Sequence, residues 1–162
     1  MKLYLKRDCS EQNVCFIVLD ELGEERYYVL KDSSYNFHNL AITGPSLNKL
    51  CTIHCVPLPV IYAYNLFDGS DRIRLIFNKN SSRPVISYFG ISWRVRGDIF
   101  GKNYEIVDTD NTVLLSHYNR WAGCAKGYEV DIVDEPRELL LLASVICIDR
   151  IQSAYNKQLQ TV

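Results

Sequence analysis

The sequence predicts a mainly β fold, in which a closed antiparallel barrel of about twelve strands surrounds one buried C-terminal helix. Upstream of residue 134 the chain consists of short β-branched and aromatic runs separated by turn clusters, and none of them keeps a helical period. Residues 139–148 are apolar on every face of a helix, so the rest of the fold must enclose them. A closed barrel removes its own sheet edges and gives such a helix an interior to occupy.

The strands are predicted where β-branched and aromatic residues concentrate between polar or glycine-containing clusters. Asp-rich clusters at 20–24, 68–71 and 108–111 predict hairpin turns, since Asp and Asn side chains can bond to their own backbone. The predicted strands are residues 3–7, 14–20, 25–31, 40–43, 50–55, 59–67, 72–78, 84–88, 91–97, 102–107, 112–118 and 127–133.

Alternation within several runs assigns one face of each strand to the barrel interior. Apolar residues at 73, 75 and 77 alternate with Arg72 and Arg74, so the arginines are predicted to point outward. The same period opposes Trp93 and Val95 to Arg94 and Arg96, and Tyr128, Val130 and Ile132 to Glu129 and Asp131.

The C-terminal helix is predicted at about 136–153, within a single domain that covers residues 1–162. Ten apolar residues rise about 15 Å as a helix, whereas a bilayer core of about 30 Å needs roughly twenty of them. The sequence therefore predicts no transmembrane segment. If the helix fills the barrel, the interior is closed to ligands, and we expect pockets on the outside of the barrel.

Composition narrows the classes of protein that the chain can belong to. The formal net charge of -1 provides no overall field that would draw the chain onto nucleic acid, so no nucleic-acid partner is expected. The first eight residues lack the apolar core and cleavage site of a signal peptide, which predicts a cytoplasmic protein with reduced thiols. The six cysteines stand at positions 9, 15, 51, 55, 124 and 147.

The C-terminal half resembles a known family. The residues that carry the resemblance are the run from Ile91 to Asp110, then Trp121, the strand Gly127-Tyr-Glu-Val-Asp-Ile, and the Leu-rich helix that closes with Ile148-Asp149. Together with the runs at 14–24 and 26–30, they are similar to the LURP-one-related family, whose relatives are phospholipid scramblases and Tubby C-terminal domains.

This resemblance implies a twelve-stranded barrel around a central C-terminal helix, and it implies little about activity. Family members most like this chain have no established biochemical role, whereas Tubby-like domains bind phosphoinositide head groups. The chain lacks the proline-rich N-terminal region and the lipidated cysteine cluster of scramblases, so direct lipid scrambling is not expected.

Paired arginines are the candidate ligand-binding residues. Outward-pointing guanidinium groups on neighbouring strands can fork onto phosphate oxygens and form a local basic face. The alternative is an ordinary solvated barrel wall whose charges are balanced by Asp and Glu. The candidate residues for an anionic group are Arg72, Arg74, Arg94, Arg96, Lys79 and Arg83.

Two clusters contain residue types that can bind metal ions, and no metal is expected at either. On a strand, Cys51 and Cys55 point to one face and His54 to the other, which leaves no closed set of four zinc ligands. The acidic residues near the start of the helix suit capping and the helix dipole better than calcium, because no glycine-bearing ligand loop is present. These are Asp131, Asp134, Glu135 and Glu138.

The sequence favours a non-enzymatic binding domain. Its histidines are His38, His54 and His117, and there is no nucleophile elbow and no Gly-rich phosphate loop. Cys124, beside Lys126, is the one thiol that we expect in an exposed loop with a lowered pKa.

No cofactor is expected, and two interpretations of the function stay open. In the first, the domain binds anionic phospholipid head groups or phosphorylated ligands, which implies peripheral contact with acidic membranes. In the second, it is a protein-interaction or structural scaffold without a small-molecule ligand.

Overall fold

The computed structural model describes residues 1–8, 13–32, 38–81, 85–119 and 127–161, apart from the side chain of Pro57. The described residues form twelve strands, a short 3-10 turn at Glu135–Arg137 and one α-helix, α1 (Glu138–Gln160). The strands are β1 (Lys2–Arg7), β2 (Val14–Leu19), β3 (Glu25–Lys31), β4 (Leu40–Thr43), β5 (Lys49–Pro57), β6 (Ile61–Phe67), β7 (Arg72–Asn78), β8 (Ile86–Phe89), β9 (Arg94–Asp98), β10 (Asn103–Val107), β11 (Val113–Tyr118) and β12 (Gly127–Ile132).

The strands form one closed antiparallel barrel in which each strand pairs with its neighbours in the chain. The barrel closes where β1 pairs with β12, with Leu3 opposite Val130 and Leu5 opposite Tyr128. These four side chains are buried and point toward the same interior. The predicted fold class is confirmed, because the sheet has no free edge and a single C-terminal helix packs against it.

Helix α1 runs through the barrel interior. Every residue from Leu140 to Ile148 has an exposed fraction of 0%, so no face of this segment meets solvent. Ser144 is the one residue in this segment with a polar side chain, and its hydroxyl donates to the Leu140 carbonyl one turn earlier. Within the described residues, no helix combines the length and the apolar character that spanning a bilayer requires.

The start of α1 differs from the capping expected of the acidic cluster. Neither the helix nor the 3-10 turn before it has a side-chain cap hydrogen bond. Glu138 instead accepts hydrogen bonds from Arg26 on β3, at 2.9 Å from Nε and 3.0 Å from Nη2. The carboxylate therefore fixes the helix start to the barrel wall, an interaction across 112 residues that local sequence does not indicate.

The end of α1 also differs from the prediction. The helix continues to Gln160 rather than ending at about residue 153. The residues from Ala154 to Gln160 contain neither Gly nor Pro, so nothing in the chain stops the helix when its apolar stretch ends. Residues 156–161 are exposed, which shows that this last part of the helix leaves the barrel.

Strand direction defines two ends of the barrel. Neighbouring strands are antiparallel, so β1, β3, β5 and β7 all end at the same rim. Helix α1 starts beside Arg26, near the beginning of β3 at the other rim, and it therefore leaves the barrel where these four strands end. We call this end, with the second half of α1, the barrel mouth.

Candidate functional site

A cavity of about 1050 Å³ lies at the barrel mouth, between the second half of α1 and the ends of the strands. Its inner wall is apolar and aromatic, with the buried side chains of Phe16, Leu40 and Tyr64. Further lining residues are Val14, Cys15, Cys55, Val56, Leu58, Pro59, Ile61, Tyr62, Ser153 and Ala154.

Charged residues gather at the rim of this cavity. Five described cationic side chains line it and face two described carboxylates, Asp8 and Asp149. The five cations are Arg7, Lys31, Lys79, Arg150 and Lys157. The site thus has an apolar inner wall, and apart from the buried Asp149 its charged residues lie toward the opening.

Strand alternation explains why three of these cations point into the mouth. Arg7 lies two residues beyond the buried Leu5, Lys31 two beyond Val29, and Lys79 two beyond Phe77. A two-residue step keeps a side chain on the same face of a strand, so Arg7 and Lys31 continue inward-facing rows, and Lys79 follows directly after the end of β7. Each row becomes polar where the strand reaches the rim.

The helix supplies the other two cations. Arg150 and Lys157 are seven residues apart, about two helical turns, and therefore lie on one face of α1 together with Ser153 and Ala154. Burial of the helix decreases along this face, from the buried Asp149 to the exposed Lys157. The helix thus extends the basic rim from the barrel wall toward solvent.

One rim cation is already neutralised inside the barrel. Arg7 Nη2 donates to both carboxylate oxygens of Asp149, at 2.7 and 2.6 Å. Burial raises the pKa of the Asp149 carboxyl, and the charge of Arg7 opposes that rise. The Arg7 guanidinium also lies 5.3 Å from the Phe16 ring centre, so it is held both by the Asp149 carboxylate and by this aromatic ring.

Three other rim cations have no carboxylate partner among the described residues. Arg150 Nη1 donates to the His38 carbonyl at 2.7 Å. Lys79 Nζ lies 4.1 Å from the centre of the Tyr62 ring and 3.4–3.5 Å from two backbone carbonyl oxygens. Lys157 forms no ion pair within the described chain, so among the described residues none of these three cations is paired with a carboxylate.

The structure divides the six residues predicted to bind an anionic group. Arg72 and Arg74 are exposed on the outer face of β7, as predicted, beside a shallow groove of about 340 Å³. The Arg72 guanidinium lies 5.3 Å from the Phe67 ring centre. Arg74 Nε donates to Asn65 Oδ1 at 2.7 Å.

Arg94 and Arg96 lie on β9, beyond β8, and each is held by an acceptor on a neighbouring segment. Arg94 Nη2 donates to Asn111 Oδ1 at 2.9 Å, and Arg96 pairs with Glu105 on β10. Lys79 belongs to the barrel mouth instead. Arg83 lies outside the described residues.

The expectation of pockets on the outside of the barrel fits the groove beside Arg72 and Arg74 but is wrong for the barrel mouth. Helix α1 fills the barrel as far as its apolar segment reaches, and the polar segment that follows leaves the end of the interior open. Residues that sequence reasoning missed are Arg7, Lys31, Arg150 and Lys157. Arg7 and Lys31 could have been found in the sequence, because each is a cation two positions after the last inward-facing apolar residue of its strand.

The remaining candidates have structural explanations. His117 is stacked between Tyr104 and Tyr128, its Nδ1 donates to the Lys102 carbonyl at 2.8 Å, and burial lowers its pKa to about 4. Cys51 is buried with its pKa raised to about 12, and His54 is exposed. Within the described ranges, no three His, Cys, Asp or Glu side chains come together as a metal site. Cys124 lies outside the described residues.

Comparison with known proteins agrees with the fold. A family model described as LURP-one-related matches residues 1–149. An X-ray structure of a protein from Arabidopsis thaliana is similar with a TM-score of 0.56 and 10% identity, covering 91% of this chain and 91% of that chain. No significant match is found among curated proteins.

Proposed function

The chain belongs to the LURP-one-related family, and we propose that it is a non-enzymatic binding domain that holds the anionic group of a ligand at the barrel mouth. The observation that carries this proposal is the convergence on one cavity of Lys79, Arg150 and Lys157, none of which pairs with a described carboxylate. They come from two separate places in the chain, the turn directly after β7 and the second half of α1.

The surroundings strengthen the attraction of these cations for an anion. An apolar wall behind the rim excludes water and lowers the local dielectric, so each charge acts more strongly than it would on an open surface. Arg150 has donors in a planar fork that suits phosphate or carboxylate oxygens, and the lysines add mobile point charges.

The mouth is favoured over the outer arginine face. On the outer face, Arg94 and Arg96 already have acceptors, and Arg72 and Arg74 line only a shallow groove. We keep the groove beside Arg72 and Arg74 as the alternative place for anionic head groups or phosphorylated ligands, because these two arginines share it with the exposed Phe89. A scaffold that binds only a protein partner is the alternative function.

Calorimetric titration with inorganic pyrophosphate at low salt distinguishes the two places. The variant Arg150→Gln/Lys157→Gln is expected to weaken binding by about tenfold or more, because charge-assisted hydrogen bonds are worth about 1.5–3 kcal/mol each. The matched control Arg72→Gln/Arg74→Gln removes the same charge and is expected to bind within about twofold of the original chain.

The opposite pattern of losses would place the site on the outer face. Absence of pyrophosphate binding to every variant and to the original chain would favour the scaffold. Salt provides an independent check, since binding through the rim cations is expected to weaken as ionic strength rises.

A further inference from the structure

We propose that the ligand of the barrel mouth is an amphiphilic anion, with one alkyl or acyl chain inside the barrel and a carboxylate or phosphate head at the rim. This inference rests on the proposed function and names the class of ligand for that site. It follows from the separation of apolar and charged residues along the depth of the cavity.

The buried lining of the cavity is mainly apolar, and its polar groups are the tyrosine hydroxyls and the Asp149 carboxylate that Arg7 already binds. Phe16, Leu40 and Tyr64 have exposed fractions of 4%, 1% and 4% and belong to the barrel core. An inorganic anion at the rim would leave this apolar wall in contact with water. An alkyl chain would cover it, and burial of apolar surface is the main source of affinity in such sites.

The cavity volume fits a ligand larger than a single charged group. About 1050 Å³ lies at the upper end of the volumes that small-molecule sites offer. Apart from Arg7, which reaches the buried Asp149, the cationic side chains belong to residues at or just after the strand ends and on the emerging part of α1. The rest of the ligand must therefore be apolar to match its surroundings.

The ionisable groups of the inner wall stay neutral. Burial raises the pKa of the Cys15 and Cys55 thiols and of the Tyr62 and Tyr64 hydroxyls. These groups therefore remain protonated near neutral pH and contribute apolar surface rather than charge. An anionic head placed among them would lose its hydration without gaining a cation.

The pairing of Asp149 with Arg7 determines which cations remain for the anionic head. Its carboxylate lines the cavity and would repel an anion, but Arg7 bonds both of its oxygens and neutralises it. The cations with no described carboxylate partner are Lys79, Arg150 and Lys157. We therefore place the head at these three cations and the alkyl chain along the apolar inner wall.

A series of carboxylates of increasing chain length tests this assignment. Hexanoate, octanoate and decanoate, each below its micelle concentration, are titrated into the full chain by calorimetry. Affinity is expected to rise about fourfold for each added methylene that becomes buried. Decanol, which has the chain without the charge, is expected to bind at least about tenfold more weakly than decanoate.

A pair of tryptophan substitutions on α1 tests whether the alkyl chain enters the cavity. Ala154 lines the cavity on α1 and is half-buried, so Ala154→Trp fills space at the mouth without entering the closed core. Gln158→Trp adds the same side chain to an exposed position of the same helix that does not line the cavity. Decanoate affinity is expected to fall by about tenfold or more in Ala154→Trp only, and circular dichroism verifies that both variants are folded.

The outcomes separate the failure of this inference from the failure of the proposed function. Pyrophosphate binding that depends on Arg150 and Lys157, together with equal affinity for all three carboxylates, overturns the amphiphile and leaves the proposed function standing. Equal affinity for decanol and decanoate, unaffected by Arg150→Gln/Lys157→Gln, overturns the anionic ligand itself.

A vesicle experiment identifies the source of the amphiphile. Phosphatidylcholine vesicles that contain phosphatidic acid are sedimented with the original chain and with Ala154→Trp. Co-sedimentation that Ala154→Trp abolishes supports an acyl chain taken from a bilayer. Decanoate binding without co-sedimentation supports a free amphiphile, and co-sedimentation that Ala154→Trp leaves unchanged contradicts entry of the chain into the mouth.

Discussion

Removing the Arg7 side-chain charge should destabilise the fold, because it leaves the Asp149 carboxylate buried without a partner. Arg7 Nη2 contacts both oxygens of that carboxylate, at 2.7 and 2.6 Å. The exposed fraction of the Asp149 side chain is 6%, whereas that of Arg7 is 40%. The perturbation is Arg7→Met, which keeps an apolar stem over the Phe16 ring and removes the guanidinium.

The expected loss follows from the burial of the two partners. Breaking a buried ion pair by removing one partner costs about 3–5 kcal/mol. Solvent already screens part of this pair through Arg7, so the value is reduced to about 2–3 kcal/mol. With an m-value of about 2–3 kcal/mol/M, the urea midpoint should fall by about 1 M.

The loss should depend on pH in a defined direction. Burial raises the pKa of Asp149, and Arg7 is what limits that rise, so the pKa should be higher still in Arg7→Met. An Asp whose folded-state pKa exceeds its unfolded value of about 3.9 holds its proton more tightly in the folded state. Its contribution to stability is full below that unfolded value and is lost as pH rises through the folded-state pKa. The variant should therefore be destabilised more at pH 7 than at pH 5.

Urea denaturation followed by circular dichroism at both pH values measures this effect. Asp149→Asn in the Arg7→Met background removes the unpaired charge and should recover most of the lost stability at pH 7. Arg74→Met, an exposed arginine bonded to Asn65, is the control and should change stability by less than about 0.5 kcal/mol. An Arg7→Met midpoint equal to that of the control, or a loss that does not change with pH, would refute the reasoning.

Three further predictions concern the barrel and its helix. Leu142→Ala should lower the free energy of unfolding by about 2–5 kcal/mol in urea denaturation, because the side chain is 0% exposed inside the barrel; a loss below about 1 kcal/mol would contradict its enclosure. Gly97→Ala should destabilise more than Gly69→Ala, since both have positive φ but only at Gly97 would a Cβ lie 2.7 Å from the Asn103 carbonyl oxygen; equal melting temperatures would refute this. Cys147, which is 0% exposed and whose pKa is raised by burial, should be alkylated only on unfolding; mass spectrometry that finds it alkylated in the native protein would contradict that placement.

The fold could be predicted because its signals are local. Alternation of Ile73, Leu75 and Phe77 with arginines shows the two faces of a strand within one run. A segment that is apolar on every helical face has to be surrounded by protein, and a closed barrel of twelve strands, which has no free sheet edge, can surround it. Each inference uses residues close together in the chain, where period and side-chain type carry the information.

The start and end of the helix could be predicted only in part. Acidic residues at the start are typical of capping, but Glu138 pairs with Arg26 instead, and this contact exists only once β3 lies beside the helix. The polar segment after Ile151 marks where the apolar stretch ends, and it contains nothing that stops a helix. The predicted end therefore corresponded to the end of burial rather than to the end of the hydrogen-bonded turns.

The candidate site could not be predicted as a unit. Arg7, Lys31 and Lys79 each stand where a single strand ends, and nothing in the local sequence shows that these ends share one rim. Barrel closure and the direction of α1 bring them to Arg150, which is a long-range property of the fold. The sequence pointed instead to the outward-facing arginines of β7 and β9, because the alternation within a single strand is enough to identify them.

The position of a bound amphiphile tests the central claim most directly. Nuclear Overhauser effects from the terminal methyl group of decanoate to the aromatic protons of the full chain report where the alkyl chain lies. The cavity at the barrel mouth predicts contacts with the ring protons of Phe16 and Tyr64. Contacts with Phe89 on the outer face, in place of these two, would contradict it.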